Sequence, residues 1–217
     1  MNVVGVIASE EDMQEALRNP QGIDIFELRI DKYQPSAKLI AKLKQPLIIT
    51  VRCVEEGGSA PMNIARRIEL YLKYMRFAAL IDVEARTADS LQGVIALAKK
   101  RGIGIIISLH MFGGIVEHMD MTGAAMTCSA EEGDIFKVAL KTESFDQIGE
   151  FIRAVVKVRT GLTLRVAAMI IGERYGKSAR LLFGVAGSPL VYGYLAKAQV
   201  KGQLRASDIG ELLAKVS

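Results

Sequence analysis

The stretch Gly133-Asp-Ile-Phe-Lys-Val-Ala-Leu140 contains a single lysine, Lys137, in a run that is otherwise mostly apolar. Because desolvation disfavours an ammonium, a lysine in such a run is expected to have a lowered pKa. The neutral amine is a nucleophile that attacks a ketone to form an imine, and the protonated imine then withdraws electrons from the neighbouring carbon. The alternative is a lysine at a strand end that reaches water or pairs with a carboxylate.

Short β-branched runs like this one alternate with longer amphipathic segments along the whole chain. Strands are predicted at Val3–Ala8, Ile23–Ile30, Leu47–Arg52, Ala79–Glu84, Ile103–His110, Asp134–Ala139, Leu164–Ile170 and Leu181–Ala186. Helices are predicted at Glu10–Arg18, Ser36–Leu43, Asn63–Phe77, Thr87–Lys100, Glu117–Ala130, Ser144–Val158, near Glu173–Ala179, at Pro189–Ala198 and at Ser207–Val216. Strands that alternate with helices pair in parallel through right-handed crossovers. Eight such units predict an α/β chain folded as a (β/α)8 TIM barrel; the alternative, an open doubly wound sheet, lacks a GxGxxG motif after the first strand.

Composition limits the classes of function. The chain has 217 residues, half of them hydrophobic, and no change of composition divides it, which predicts a single domain over residues 1–217. Its 28 basic and 24 acidic residues give a net charge of +4 without a basic block, which favours small anionic ligands over nucleic acid. No membrane span or basic leader is evident, so we expect a cytoplasmic protein. Cys53 and Cys128 match no metal-binding spacing and are expected to be reduced, so no metal is predicted.

Polar residues of one parity end five consecutive predicted strands. They are Glu27 and Arg29, Thr50 and Arg52, Asp82 and Glu84, Ser108 and His110, and Lys137. Catalytic groups of a barrel collect at the carboxyl ends of its strands, so one mouth is expected to gather these side chains. Taken singly, each has a structural alternative, as a solvated charge or as an ion pair that braces the barrel.

His110 and several residues of the loops are further candidates for a functional role. His110 is one of two histidines and has the residue type best suited to acid–base work near neutral pH. The acidic turn Glu55-Glu56-Gly57-Gly58 directly follows Arg52 and is predicted to lie over the same mouth. The segment 184–190 either binds an anion through backbone N–H groups or simply starts a helix at Ser-Pro. Arg180 and Gln203 give almost no signal by themselves.

Taken in order, these motifs resemble type I 3-dehydroquinate dehydratase. The matching set is Glu27-Leu-Arg29, Thr50-Val-Arg52 with Glu55-Glu-Gly-Gly58, Asp82-Val-Glu84, Ser108-Leu-His110-Met-Phe112, Asp134-Ile-Phe-Lys137-Val-Ala139, Lys177-Ser-Ala-Arg180, Gly187-Ser188 and Gly202-Gln203. The resemblance implies a class I aldolase-like barrel, usually a homodimer, that converts 3-dehydroquinate to 3-dehydroshikimate and water in the shikimate pathway of aromatic amino acid biosynthesis. It implies a small-molecule substrate and no cofactor, with no nucleic acid or membrane partner.

Roles follow from the resemblance residue by residue. Lys137 would form the imine, and His110 would act as general acid and base, supported by Glu56. Substrate binding would fall to a second group. Its members are Glu27, Arg29 and Arg52 at the ring hydroxyls, Arg180 and Gln203 at the carboxylate, and Tyr192 as an aromatic wall.

The sequence departs from the family pattern at three places. Met111 stands where an acidic residue is common, Ala179 replaces a serine before the arginine, and the segment 198–201 reads Ala-Gln-Val-Lys where a Ser-Ala-Pro-like lid is typical. Two other functions therefore stay open. One is a different imine-forming barrel, such as an aldolase or transaldolase acting on sugar phosphates, and the other is a non-catalytic barrel that binds anions.

Overall fold

The computed structural model describes residues 1–19, 21–116 and 118–216, without the side chains of residues 118, 119 and 216. Its strands are β1 (Asn2–Ile7), β2 (Ile25–Arg29), β3 (Leu47–Thr50), β4 (Leu80–Glu84), β5 (Gly104–Met111), β6 (Ile135–Lys141), β7 (Val166–Ile171) and β8 (Leu190–Tyr194). Its helices are α1 (Glu10–Arg18), α2 (Ala37–Ile40), α3 (Ile64–Tyr74), α4 (Gln92–Lys100), α5 (His118–Ala130), α6 (Phe145–Gly161), α7 (Gly176–Val185) and α8 (Ala206–Val216).

The eight strands form one parallel sheet in the order β7-β6-β5-β4-β3-β2-β1-β8. Strand β1 pairs with both β2 and β8, so the sheet curls until the last strand lies beside the first. Strands β7 and β8 lie in contact, but within the described residues no ladder joins them, so the ring is nearly closed. The predicted (β/α)8 barrel is confirmed.

Side chains alternate between the inside and the outside of the barrel. The interior is filled by a cluster of mostly β-branched residues that includes Val4, Ile25, Ile48, Ile106 and Ile135. A larger cluster outside it packs the strands against the helices and includes Phe26, Phe136 and Phe151. Because Ile135 and Ala139 point inward, Lys137 between them also points inward, whereas Val138 packs outside.

The end of the chain corrects two predictions. Residues 181–185 of the predicted eighth strand Leu181–Ala186 belong to helix α7, and the predicted helix Pro189–Ala198 contains strand β8 instead. An apolar run such as Leu181-Leu-Phe-Gly-Val-Ala186 suits a buried helix face as well as a buried strand. The β-branched and aromatic run Leu190-Val-Tyr-Gly-Tyr194 is the better strand former, and Ser188-Pro189 starts a strand rather than a helix.

The other elements agree with prediction apart from their ends. The predicted helix Ser36–Leu43 is shortened to one turn, and Glu117, predicted to start α5, lies outside the described residues. Strand β3 leads into a short 3-10 helix, Val54–Glu56, which ends at Gly57 with φ of 88°. A positive φ is accessible to glycine at no steric cost, so this turn can fold back over the barrel mouth and direct Glu56 inward.

Candidate active site

A cavity of about 210 Å³ lies at the carboxyl ends of the strands. All nine residues that the sequence analysis selected line it, namely Glu27, Arg29, Arg52, Glu56, His110, Lys137, Arg180, Tyr192 and Gln203. They come from the four strands β2, β5, β6 and β8, the segment after β3, helix α7 and the segment before α8. The structure thus brings the predicted set together, while the roles of its members stay predictions.

Lys137 lies deep in this cavity, with 3% of its surface exposed. Its Nζ is 2.7 Å from Asp82 Oδ2 and 3.2 Å from Glu27 Oε1, and it lies 4.4 Å from the centre of the Tyr192 ring. The strand parity of β6 accounts for the inward direction of the lysine. The sequence predicted either apolar surroundings for this amine or a carboxylate partner, and the structure places two carboxylates in contact with it.

Asp82 and Arg52 form the buried base of the site. Arg52 Nη2 is 2.9 Å from Asp82 Oδ2, and Arg52 Nη1 donates to Ser108 Oγ at 2.6 Å. The Ser108 hydroxyl in turn donates to Asp82 Oδ1 at 2.7 Å. Burial alone would raise the pKa of Asp82, but the charges of Arg52 and Lys137 outweigh burial and lower that pKa well below its usual range.

Glu84, two residues along the same strand, has different partners. Its carboxylate accepts from the backbone N–H of Cys53 at 2.8 Å, pairs with the buried Arg67 and lies 3.3 Å from Arg52 Nη1. Burial opposes its ionisation, but the two arginines prevail and lower its pKa. Glu84 does not line the cavity, so it braces the turn after β3.

His110 is fixed by Glu56. One carboxylate oxygen, Oε2, lies 2.9 Å from the imidazole Nδ1 and accepts from the His110 backbone N–H at 2.9 Å. Burial, with the nearby charges of Arg52 and Lys137, lowers the pKa of His110 well below its usual value. The imidazole is therefore uncharged near neutral pH, and with a hydrogen on Nδ1 it keeps the Nε2 lone pair as a base. Burial raises the pKa of Glu56 to about 7.

Arg180 is a buried cation with an incomplete set of partners. Its Nη1 donates to the carbonyl of Gly202 at 2.6 Å, while its Nε has no hydrogen-bond partner within the described residues. Burial lowers the pKa of this guanidinium to about 10. The Gly202 turn approaches Gly172 so closely that a Cβ would lie 1.8 Å from the Gly172 carbonyl oxygen, so this approach requires glycine.

The family departures have structural counterparts. Met111 is buried in the outer core, and it is Glu56 that contacts the His110 ring at Nδ1. Gln199 and Val200 of the altered lid line the cavity, where the Gln199 N–H donates to Gln203 Oε1 at 2.8 Å. The sequence analysis missed these residues and also missed Lys32, which follows β2 and donates to Gln199 Oε1 at 3.4 Å.

Three further predictions concern features outside the cavity. The segment 184–190 joins α7 to the start of β8, at the opposite end of the barrel, so it forms no anion site beside Lys137. Cys53 and Cys128 are both buried, and neither takes part in a disulfide bond. Throughout residues 1–19, 21–116 and 118–216, no group of three or more His, Cys, Asp or Glu side chains is arranged to hold a metal ion, and no helix is long and apolar enough to cross a membrane.

A lysine inside a (β/α)8 barrel, held by carboxylates and facing an uncharged imidazole, is the arrangement of enzymes that carry out ketone chemistry through an imine. The chain belongs among the (β/α)8-barrel lyases. More particularly, it belongs to the type I 3-dehydroquinase family, whose model matches residues 3–216.

Curated relatives and solved structures agree with this assignment. The 3-dehydroquinate dehydratase of Hydrogenobaculum sp. (strain Y04AAS1) is 26% identical over 223 residues, covering 96% of each chain. That of Thermococcus gammatolerans is 27% identical over 216 residues, covering 97% of each. The crystal structure of 3-dehydroquinate dehydratase from Geobacillus kaustophilus HTA426 superposes with a TM-score of 0.87 at 20% identity, covering 100% of this chain and 91% of that one.

Proposed function

We propose that this chain dehydrates 3-dehydroquinate to 3-dehydroshikimate through an imine on Lys137. The observation that carries the proposal is one cavity that presents a buried lysine, an uncharged imidazole and a buried arginine with an unused donor. Each group answers one need of the substrate, which is a cyclic ketone that carries a hydroxyl leaving group and a carboxylate. The curated relatives are 3-dehydroquinate dehydratases, which supports the same reaction.

Lys137 supplies the electron sink. His110 takes a proton from the Nζ ammonium, and the resulting amine attacks the ring ketone. The proton then returns to the oxygen of the adduct, which leaves as water, and the protonated imine that remains accepts the electrons of the neighbouring C–H bond as an enamine. Asp82 and Glu27 lie within hydrogen-bond distance of Nζ, and their negative charges favour a cation at that atom. The protonated imine is such a cation.

His110 moves the proton. Because its imidazole is uncharged near neutral pH, Nε2 can remove the proton next to the imine. The imidazolium then gives that proton to the hydroxyl on the next carbon, which leaves as water, and a conjugated protonated imine remains on Lys137. A second water hydrolyses this imine, which releases the conjugated enone and frees the lysine. Glu56 orients the ring through Nδ1 and stabilises the imidazolium while it exists.

Arg180 binds the substrate carboxylate. Arg180 lines the cavity and its Nε–H has no hydrogen-bond partner among the described residues, and a carboxylate can accept two parallel hydrogen bonds from a planar guanidinium. Gln203 completes this end of the site from the lid. Arg29, Arg52 and Glu27 line the same cavity and bind the ring hydroxyls of the substrate. Tyr192 forms the aromatic wall beside Lys137 Nζ.

The test is turnover measured by ultraviolet absorbance of the conjugated enone. The protein should convert 3-dehydroquinate, Lys137→Met should reduce turnover to background, and His110→Ala should slow it by ~10² to 10⁴. Lys137→Met should still bind 3-dehydroshikimate in calorimetry, because Arg180 is intact. If the parent protein binds 3-dehydroshikimate but forms no enone, it is a non-catalytic anion-binding barrel; if it instead cleaves sugar-phosphate ketones, it is an aldolase.

We also propose a cytoplasmic homodimer with one catalytic domain over residues 1–217. An apolar groove of about 250 Å³ lies between α6 and α7, and the exposed side chains of Val156 and Leu182 line it, which makes it a surface that a second copy can bury. Light scattering should give twice the chain mass for the parent protein and a smaller value for Leu182→Arg. A monomeric parent would refute the dimer.

A further inference from the structure

Asp82 contacts Lys137 Nζ, the reacting atom, without lining the substrate cavity. It is fully buried, and its Oδ2 lies 2.7 Å from Lys137 Nζ, closer than any other carboxylate oxygen. Glu27 lines the substrate cavity, whereas Asp82 does not. Asp82 is therefore placed to act on the amine nitrogen and not on the substrate ring.

Among Glu27, Asp82, Arg52 and Lys137, the charges balance only when Nζ carries a proton or another positive charge. Lys137 and Arg52 face Glu27 and Asp82, while Glu84 has Arg67 as its own partner. Because these groups are buried, an uncharged Nζ would leave one carboxylate without a counter-charge, and an unbalanced buried charge is costly. The cluster therefore favours every species along the reaction that keeps a cation at this nitrogen.

The imine chemistry conserves that cation. A primary ammonium and a ketone give a protonated imine and one water, so the step neither gains nor loses a proton overall. We propose that Asp82 is the counter-ion of the Lys137 nitrogen throughout the cycle and keeps the imine protonated, so that it remains an electron sink. This inference rests on the proposed imine mechanism and adds a catalytic residue that acts on the nitrogen.

Cyanoborohydride tests the inference, because it reduces the protonated imine and leaves the neutral imine and the ketone largely intact. The protein is incubated with 3-dehydroshikimate and cyanoborohydride from pH 5 to pH 9, and the adduct is counted by intact mass. An opposite charge at this distance shifts protonation by ~1 to 3 pH units. In Asp82→Asn the midpoint of trapping should therefore fall by about that much, with turnover reduced at neutral pH.

Glu84→Gln is the matched control. Glu84 lies on the same strand, is equally buried and also pairs with Arg52, but its carboxylate is not among the oxygens that contact Nζ. The trapping midpoint of this variant should stay at the parent value even though its stability falls. An equal shift in both variants, or no shift in Asp82→Asn, would show that Asp82 only braces the barrel.

A second variant covers the case in which Asp82→Asn does not fold. Ser108→Ala removes the hydrogen bond to Asp82 Oδ1 but keeps the charge of Asp82, and a carboxylate with one donor fewer attracts the cation at the Lys137 nitrogen more strongly. Its trapping midpoint should therefore rise by less than one unit, opposite to the fall expected in Asp82→Asn. A Ser108→Ala midpoint identical to the parent midpoint would count against the inference. If the parent protein gives no adduct at any pH, the imine mechanism itself is wrong, which is a different outcome from an adduct that ignores Asp82.

Discussion

Arg180→Met should make the protein more stable and, at the same time, unable to hold its substrate. The guanidinium is buried, and within the described residues no carboxylate lies within ion-pair distance of it. Burial lowers its pKa from 12.5 to about 10. Because the pKa is lower in the folded protein, folding of the charged form is disfavoured at every pH below about 10, including neutral pH.

The magnitude follows from that shift. A shift of two to three pKa units means that the buried charge destabilises the folded protein by about 3 kcal/mol, and Arg180→Met removes this destabilisation. Methionine also loses the hydrogen bond from Nη1 to the Gly202 carbonyl, which is worth about 1 kcal/mol. The free energy of unfolding should therefore rise by about 2 kcal/mol. Truncation of one member of a buried ion pair costs ~2 to 5 kcal/mol, so binding of 3-dehydroshikimate should weaken by about thirtyfold or more.

Urea unfolding and calorimetric titration measure the two effects on the same samples. Arg159→Met is the matched control, because Arg159 also donates to one backbone carbonyl, that of Ala186 at 2.8 Å, but is exposed. This control should lose a little stability and bind product normally. The reasoning is that the unpaired, buried Arg180 cation costs stability and binds the substrate carboxylate. It would be refuted if Arg180→Met were less stable than the parent or bound product with the parent affinity.

Two other predictions concern residues of the same cavity. The Tyr192 hydroxyl is buried without a hydrogen-bond partner in the described part of the chain, so Tyr192→Phe should raise the free energy of unfolding by about 1 kcal/mol in urea titrations; a loss of stability would reveal a partner. Burial raises the Glu56 pKa from 4.5 to about 7, so the folded protein binds the extra proton between these values and loses stability as pH rises through that window. Relative to the parent protein, the free energy of unfolding of Glu56→Gln should therefore rise by about 3 kcal/mol as the pH increases from 4.5 to 7. If the free energies of unfolding of Glu56→Gln and of the parent change with pH in parallel, this prediction is wrong.

Much of the fold could be predicted because barrel strands combine two strong signals. Each is a short β-branched run, and each is followed by an amphipathic helix, as for β1 and α1. The prediction failed at α7 and β8, where the apolar run 181–186 has no periodicity that separates a buried helix from a buried strand. Only the packing of that run between β7 and α8 decides the question.

The site was predictable as far as strand parity and the family resemblance reach. Parity alone gathers Glu27, His110 and Lys137 at one mouth. Arg180 and Gln203, which lie on a helix and a loop, gave no parity signal and came only from the resemblance. The contact between Asp82 and Lys137 joins residues 55 positions apart, and it depends on the tilt and register of strands that sequence patterns do not specify.

The most direct test of the account is mass spectrometry of the protein after incubation with 3-dehydroquinate and borohydride, followed by peptide mapping. Reduction of the imine fixes the substrate skeleton to the nitrogen that attacked it. The account predicts one stable adduct, on the peptide that contains Lys137, and none in Lys137→Met. An unmodified Lys137 peptide from a protein that still forms dehydroshikimate, or an adduct on another lysine, would contradict the imine mechanism on which the account rests.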